Sequence, residues 1–292
     1  MQFLQSLANG LMIGSIYGLI AVGLTLVFGV MDIVNFAHAE FLMVGMFGGY
    51  IASTRFGIDP LLAAPIVGLI VFVIGAGLER LLIEPIIKAP PIAQVMVTVG
   101  LGLVMANGAA ALLGNDFRSV KTSYQTSFVS IGTLAFSETY LYAAVYALVV
   151  AALLALFLNR TNFGKAMRAT AQNRGAAVLL GINPRVMYMV AFGIGVGLAA
   201  LAGSAIVPYT VVYPFVGQQY ILIMFTVVVL GGLGSVRGAI LAGLAIGVIQ
   251  SLTTMVLSSE LQNLVVFLVF IGVLVLIPGG VFKRVRRARA QG

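Results

Sequence analysis

The chain predicts an all-α bundle that spans a membrane, and three observations carry the prediction. Of its 292 residues, 61% are hydrophobic and 8% charged, whereas a soluble domain carries about 25% charged residues; mean hydropathy is +1.13. The apolar residues gather into runs at about 7–30, 37–54, 60–83, 91–113, 139–159, 187–208, 219–236, 238–257 and 262–278. With roughly 20 residues needed to cross the hydrocarbon layer, these runs make about eight or nine spans. Glycine is frequent, 35 residues against a usual share of ~7%, which suits helices that approach closely in lipid.

Taken in order, the N-terminal Met1-Gln2-Phe3-Leu4-Gln5 has no basic leader and no small-residue cleavage site, so 7–30 is expected to be an uncleaved first span. Between the first and second runs, Asp32, Asn35, His38 and Glu40 gather without a proline. They make either a tight polar turn capped by Asp32 and Asn35, or a hinge or gate at the mouth of a path. Ionisable residues at membrane depth are a functional hypothesis by default. The third run closes with Glu79, Arg80, Glu84 and Lys88, and Glu84–Lys88 has the i, i+4 spacing of a structural ion pair. The long loop 114–138, rich in Ser, Thr and Asn with Asp116, Arg118, Lys121 and Glu138, is expected to be a solvated connector whose surface can also dock a partner. Gly231, Gly232 and Gly234 precede Ser235 and Arg237 between the seventh and eighth runs. They fit either close packing or a backbone-lined constriction.

The interruption at 160–185 holds Arg160, Lys165, Arg168, Arg174 and Arg185 and no acid, and the tail holds Lys283, Arg284, Arg286, Arg287 and Arg289. Clustering of this kind marks the cytoplasmic side of a membrane protein and is read ahead of nucleic-acid binding, despite a net charge of +8. Tracing the runs with both clusters inside puts thirteen of the sixteen Lys and Arg residues on that side, with Arg55, Arg118 and Lys121 outside. The N-terminus then lies outside and the C-terminus inside, and Tyr140, Tyr142, Tyr209, Tyr213 and Tyr220 fall near the outer interface. From Phe163 to Leu180 the residues are mostly good helix formers, weakest at Gly164 and Gly175, and Gly181 with Asn183-Pro184 signals a stop. Met167, Ala171, Val178 and Leu179 are expected to share one side of an amphipathic helix. Such a helix lies on anionic lipid or fits a groove of a cytoplasmic partner.

No enzyme constellation assembles. The one Gly-Lys pair, Gly164-Lys165, lacks the first glycine of a phosphate-binding loop because Asn159 stands there. There is no H-E-x-x-H and no G-x-S-x-G. The absence of cysteine removes thiol chemistry and disulfides, and a lone histidine, His38, cannot build a histidine metal site. No acid falls in the middle of an apolar run, which argues against a proton-driven carrier.

Three separated blocks resemble the LivH-type permeases, the membrane subunits of ABC importers for branched-chain amino acids. They are Gly23–Phe41, which includes Asn35-Phe36-Ala37-His38-Ala39-Glu40; Gly164–Asn183; and Val229–Gly243. The terminal Leu276-Ile277-Pro278-Gly279-Gly280 also fits, so the likeness runs the length of the chain in order. Two positions depart from the pattern. Many relatives have an acid where Gly175 stands, and Ala39 replaces a frequent glycine.

The resemblance implies one transmembrane permease domain over 1–292, of the type II-like ABC importer class, in the bacterial inner (cytoplasmic) membrane. It implies a cytoplasmic coupling segment at 160–187 and a basic tail at 279–292. Lys165, Arg168, Gln172, Asn173 and Gly181 become ATPase-coupling residues, with 166–180 acting as a rigid lever. Asp32, Asn35, His38, Glu40, Gly231 and Gly232 become residues of the translocation path or its gate. The implied partners are a second, related permease subunit, two ATPase subunits that carry the ATP and Mg, a periplasmic substrate-binding protein and membrane lipid. No cofactor or metal is expected on this chain. The alternative is a stand-alone secondary carrier or channel for small uncharged solutes such as urea or amides.

Overall fold

The computed structural model describes residues 2–131, 134–257, 261–277 and 280. Apart from Gly280, the basic tail at 279–292 lies outside the described residues, as does Pro278. Five helices precede the basic segment: α1 (Gln2–Met31), α2 (His38–Phe56), α3 (Pro60–Leu78), α4 (Pro91–Leu113) and α5 (Glu138–Arg160). Two short helices form the basic segment itself, α6 (Asn162–Gln172) and α7 (Arg174–Leu179). Four follow it: α8 (Pro184–Ile206), α9 (Gly217–Gly231), α10 (Val236–Val256) and α11 (Gln262–Leu276). α1, α4, α5, α10, α3 with its extension to Ile86, and α8 with its extension to Tyr209 are each long and apolar enough to cross a membrane. α2, α9 and α11 complete the bundle.

The helix starts follow from local chemistry. The Asp59 carboxylate accepts from Leu61 N–H at 2.8 Å ahead of Pro60, Asn183 Oδ1 accepts from Arg185 N–H at 3.1 Å ahead of Pro184, and Ser235 Oγ accepts from Gly238 N–H at 3.1 Å. A proline in the first turn costs nothing, because its missing N–H would have no partner there. Gly181, at φ 77°, closes α7 in the left-handed region that favours glycine, where the sequence places a stop.

α1 and α8 are the centre. Their apolar stretches are 78% and 83% buried, against 22–33% for α3, α4 and α5, whose outward leucines, isoleucines and valines stay bare. α1 runs antiparallel to α10 along Gly10, Gly14 and Gly18. A β-carbon on Gly14 would lie 2.6 Å from the Gly243 carbonyl oxygen, and one on Gly247 2.4 Å from the Gly14 Cα. Only backbone fits between the two helices, the packing expected where close van der Waals contact rather than the hydrophobic effect joins helices.

Four features differ from the sequence expectations. The loop 114–138 contains a β-hairpin, β1 (Phe128–Ile131) paired antiparallel with β2 (Leu134–Ser137). Gln5 of α1 extends it, accepting from Ala135 N–H and donating to its carbonyl. Glu84 pairs with Arg185 at 3.0 Å rather than with Lys88, because α3 passes through a π-helical turn, Glu79–Ile83, and a 3₁₀ turn, Glu84–Ile86. Past Ile86 no helix carries Lys88 round to face Glu84. The basic segment is two helices, not one. Its break falls at Asn173, in extended backbone with its Oδ1 accepting from Ala176 N–H at 3.0 Å, and neither Gly164 nor Gly175 interrupts it. Finally, α9 stops at Gly231 because Gly232 and Gly234 take φ values of 85° and 82°. The bundle therefore has a hairpin end, where Tyr124 of the long loop donates to Asp59 at 2.9 Å, and a basic end, formed by α6 and α7.

Candidate functional site

Asn35, His38 and Glu40 lie deep in the bundle, not at its rim. α1 is followed by Asp32, the one non-glycine in the left-handed region among the described residues, at φ 58°; aspartate tolerates that region better than most residues. The chain then turns back inward, and α2 begins at mid-depth. A β-carbon on Gly23 would meet both the His38 ring at 3.0 Å and the carbonyl oxygen of Gly195, the middle residue of α8. A β-carbon on Gly102, the middle residue of α4, would lie 3.6 Å from Ala37 Cα and Glu40 Cγ. Irregular backbone at this depth is tolerated only where protein surrounds it or a wet cavity meets it. Asn35 is fully buried and caps the turn, its Oδ1 accepting from Ala37 N–H at 3.1 Å. Asp32 is exposed and caps nothing.

α9 begins at the same level. A β-carbon on Gly217 would lie 2.7 Å from Glu40 Oε2, so the missing side chain makes room for the carboxylate. Phe36 meets Phe225 of α9 at a ring separation of 4.8 Å. Glu40 is 8% exposed, and among the described residues neither its Oε2 nor Asn35 Nδ2 has a hydrogen-bond partner. Leaving such a group buried without a partner costs about 1–3 kcal/mol, more when it is charged. Two helices that start at mid-depth around a carboxylate are the pattern of a binding site built on discontinuous spans.

Asn35, His38 and Glu40 are thus brought together, with Phe36 and Gly217 added to what the sequence singled out. No acid falls in the middle of an apolar run, yet Glu40, in the first turn of α2, stands level with the middle residue of α4. Gly231 and Gly232 are not part of this group. They lie at the far end of α9, about 21 Å away at 1.5 Å per residue. There both are buried against backbone, Gly231 on Gly238 and Gly232 on Gly280, which is close packing.

At the basic end, Thr161 starts α6 by accepting from Gly164 N–H at 3.0 Å while donating to the Phe157 carbonyl at 2.7 Å. A side chain on Gly164 would enter the Leu158 backbone, so α6 folds straight back on α5. Met167 and Thr170 are buried in that contact, and Arg168 donates to Asn159 Oδ1 at 2.6 Å. Lys165, Gln172 and Asn173 are exposed. The break at Asn173 reorients the next helix. Ala177 is buried, whereas Val178, Leu179 and Leu180 are 54%, 89% and 77% exposed. Met167 and Val178-Leu179 therefore do not share one face. The first seals the bundle, and the second forms a bare apolar ridge. Arg174 lies over the Tyr188 ring at 5.5 Å, and no side chain approaches the position a β-carbon would take on Gly181.

The family described as branched-chain amino acid transport system / permease component matches residues 6–274. The chain belongs to this permease family. Among its relatives are the high-affinity branched-chain amino acid transport system permease proteins LivH of Escherichia coli (strain K12), 33% identical, and LivH of Salmonella typhimurium, 32% identical. BraD of Pseudomonas aeruginosa is 31% identical, and each alignment covers 97% of this chain and 96% of the relative. No solved structure matches the chain. As a permease it is a membrane component of a transport system rather than an enzyme, and the mid-depth polar group and the basic elbow are features of that permease.

Proposed function

We propose that this permease carries branched-chain amino acids inward through an ATP-driven importer by alternating access, with its basic end in the cytoplasm and its hairpin end outside. The names of the full-length relatives support the substrate class, and the clustered positive charge supports the orientation. ATP and Mg are held by two partner ATPase subunits. A second permease, of related but unlike sequence, completes the path, and a binding protein delivers the amino acid to the hairpin end.

The observation that carries the reading is the elbow of α6 and α7. Its inner half is locked to the bundle through Gly164 and Met167. Its outer half offers Val178, Leu179 and Leu180 to solvent beside Lys165, Gln172 and Asn173. An apolar ridge left bare at the aqueous end of a membrane protein is a surface for a partner groove. The elbow passes a push on α7 to α5 and α8, with Asn173 as a joint between its halves rather than as part of one rigid rod.

The test is gentle purification of the tagged chain from its own membrane. An ATPase and a second permease should come with it, and both Gly181→Pro and Arg168→Glu should lose the ATPase or uncouple its hydrolysis from uptake. Normal assembly and uptake in both variants would remove the coupling role. One observation favours a second reading. A carboxylate buried at mid-depth is what an ion-coupled carrier uses. That reading requires solute flux from this chain alone in liposomes, without ATP.

A further inference from the structure

A cleft of about 630 Å³ opens between α5 and the start of α10 at the basic end of the bundle, floored by α1 and closed by α6. Its chemistry is divided. The floor and walls are apolar, with Leu26 and Val30 of α1, Leu158 of α5 and Leu241 of α10. The mouth carries Arg168 and Arg237, both exposed. No acid lines the cleft, and neither arginine has an acidic partner among the described residues. Arg168 gives one N–H to Asn159, which leaves most of its five donors free. The first turn of α10 adds the positive end of a helix dipole.

We propose that this cleft holds one anionic phospholipid of the inner leaflet. Its phosphate sits between Arg168 and Arg237, and its acyl chain lies against Leu26 and Leu241. The division into a basic mouth and an apolar floor is what an amphiphile matches and a free phosphate does not. Basic pockets between spans on the cytoplasmic side recognise lipid headgroups. The proposal rests on the permease reading only in placing the basic end at the inner leaflet.

The test uses the full chain in nanodiscs of phosphatidylcholine containing a minor share of phosphatidylglycerol, with bound lipid counted by native mass spectrometry after release. The wild type should retain phosphatidylglycerol over phosphatidylcholine. Arg237→Gln should weaken that retention about fivefold, the effect of one basic side chain near an anionic surface. Arg168→Gln should weaken it to a similar degree. Equal retention by the wild type and both variants would overturn the proposal. So would displacement of the lipid by inorganic phosphate, which would make this a free-phosphate site, or its expulsion when an ATPase subunit binds, which would make the cleft a protein contact. Lipid retained by a chain that recruits no ATPase would instead count against the importer reading and leave the lipid site standing.

Discussion

Leu179→Ala and Met167→Ala, two truncations in the basic segment, should have opposite consequences. Leu179 is 89% exposed and Met167 fully buried. In the isolated chain, Leu179→Ala removes nothing that is packed, so its stability should stay within about 0.5 kcal/mol of wild type. Met167→Ala opens a cavity where α6 meets the bundle and should cost about 2–5 kcal/mol. Binding of the ATPase reverses the order. If the ridge is buried there, Leu179→Ala forfeits about three methylene-sized groups at ~0.8 kcal/mol each, ~2.4 kcal/mol in all. That loss weakens association roughly fiftyfold. The assay is thermal unfolding of each purified variant, followed by titration of the ATPase subunits against reconstituted chain. The reasoning is refuted if Leu179→Ala unfolds the chain as Met167→Ala does, or if it leaves ATPase affinity at the wild-type value.

Further outcomes are expected elsewhere in the fold. Gly45→Ala puts a β-carbon 2.0 Å from the Ala200 carbonyl oxygen and should lower stability by about 1–3 kcal/mol as an overpacked contact. Gly77→Ala, with nothing within 4 Å of the new carbon, should raise it by up to about 1 kcal/mol; thermal unfolding of the pair compares them directly. Glu40→Gln should leave assembly intact and depress amino-acid uptake, and unchanged uptake at matched expression would remove Glu40 from the path. Tyr124→Phe breaks the hydrogen bond to Asp59 and should cost about 1.5–3 kcal/mol, the range for a bond to a charged group. Burial first, and then that bond, holds the Tyr124 phenol above its ordinary 10.0. The folded chain keeps a proton that the unfolded chain gives up, so this stabilisation is present below pH 10 and is lost as pH rises beyond it. Unfolding measured against pH should show that alkaline loss in wild type and a smaller one in Tyr124→Phe.

The helices were legible because their signals are local. Pro60, Pro91 and Pro184 start helices where the apolar runs begin, and Gly181 and Asn183 stop α7 and cap α8 as the residues suggest. The hairpin also had a local signal that the polar composition of its loop obscured: Phe128-Val129-Ser130-Ile131 and Leu134-Ala135-Phe136-Ser137 are short, strand-prone runs separated by Gly132-Thr133. The break at Asn173 was hidden because helix propensity marks only Gly164 and Gly175 as weak points of one continuous helix. Gly164 is needed for close approach to Leu158, while Asn173 breaks the helix by capping the next one. Depth was not legible at all. Whether Glu40 stands at the rim or halfway across depends on where α2 packs along α4 and α8, and periodicity within α2 carries no record of that. The same holds for Glu84, whose partner Arg185 is brought in by tertiary packing.

The glycine seam between α1 and α10 has a consequence for synthesis. α1 leaves the ribosome long before α10, which packs along its glycines and begins only at Val236. At about 5–20 residues per second, the interval is on the order of 10–50 s. For that time Gly10, Gly14 and Gly18 have no native helix to close on, and the seam closes only once Val236–Val256 has been made. The most central helix of the bundle is therefore inserted early and completed late, and a chain truncated before α10 carries a bare small-residue face into the membrane.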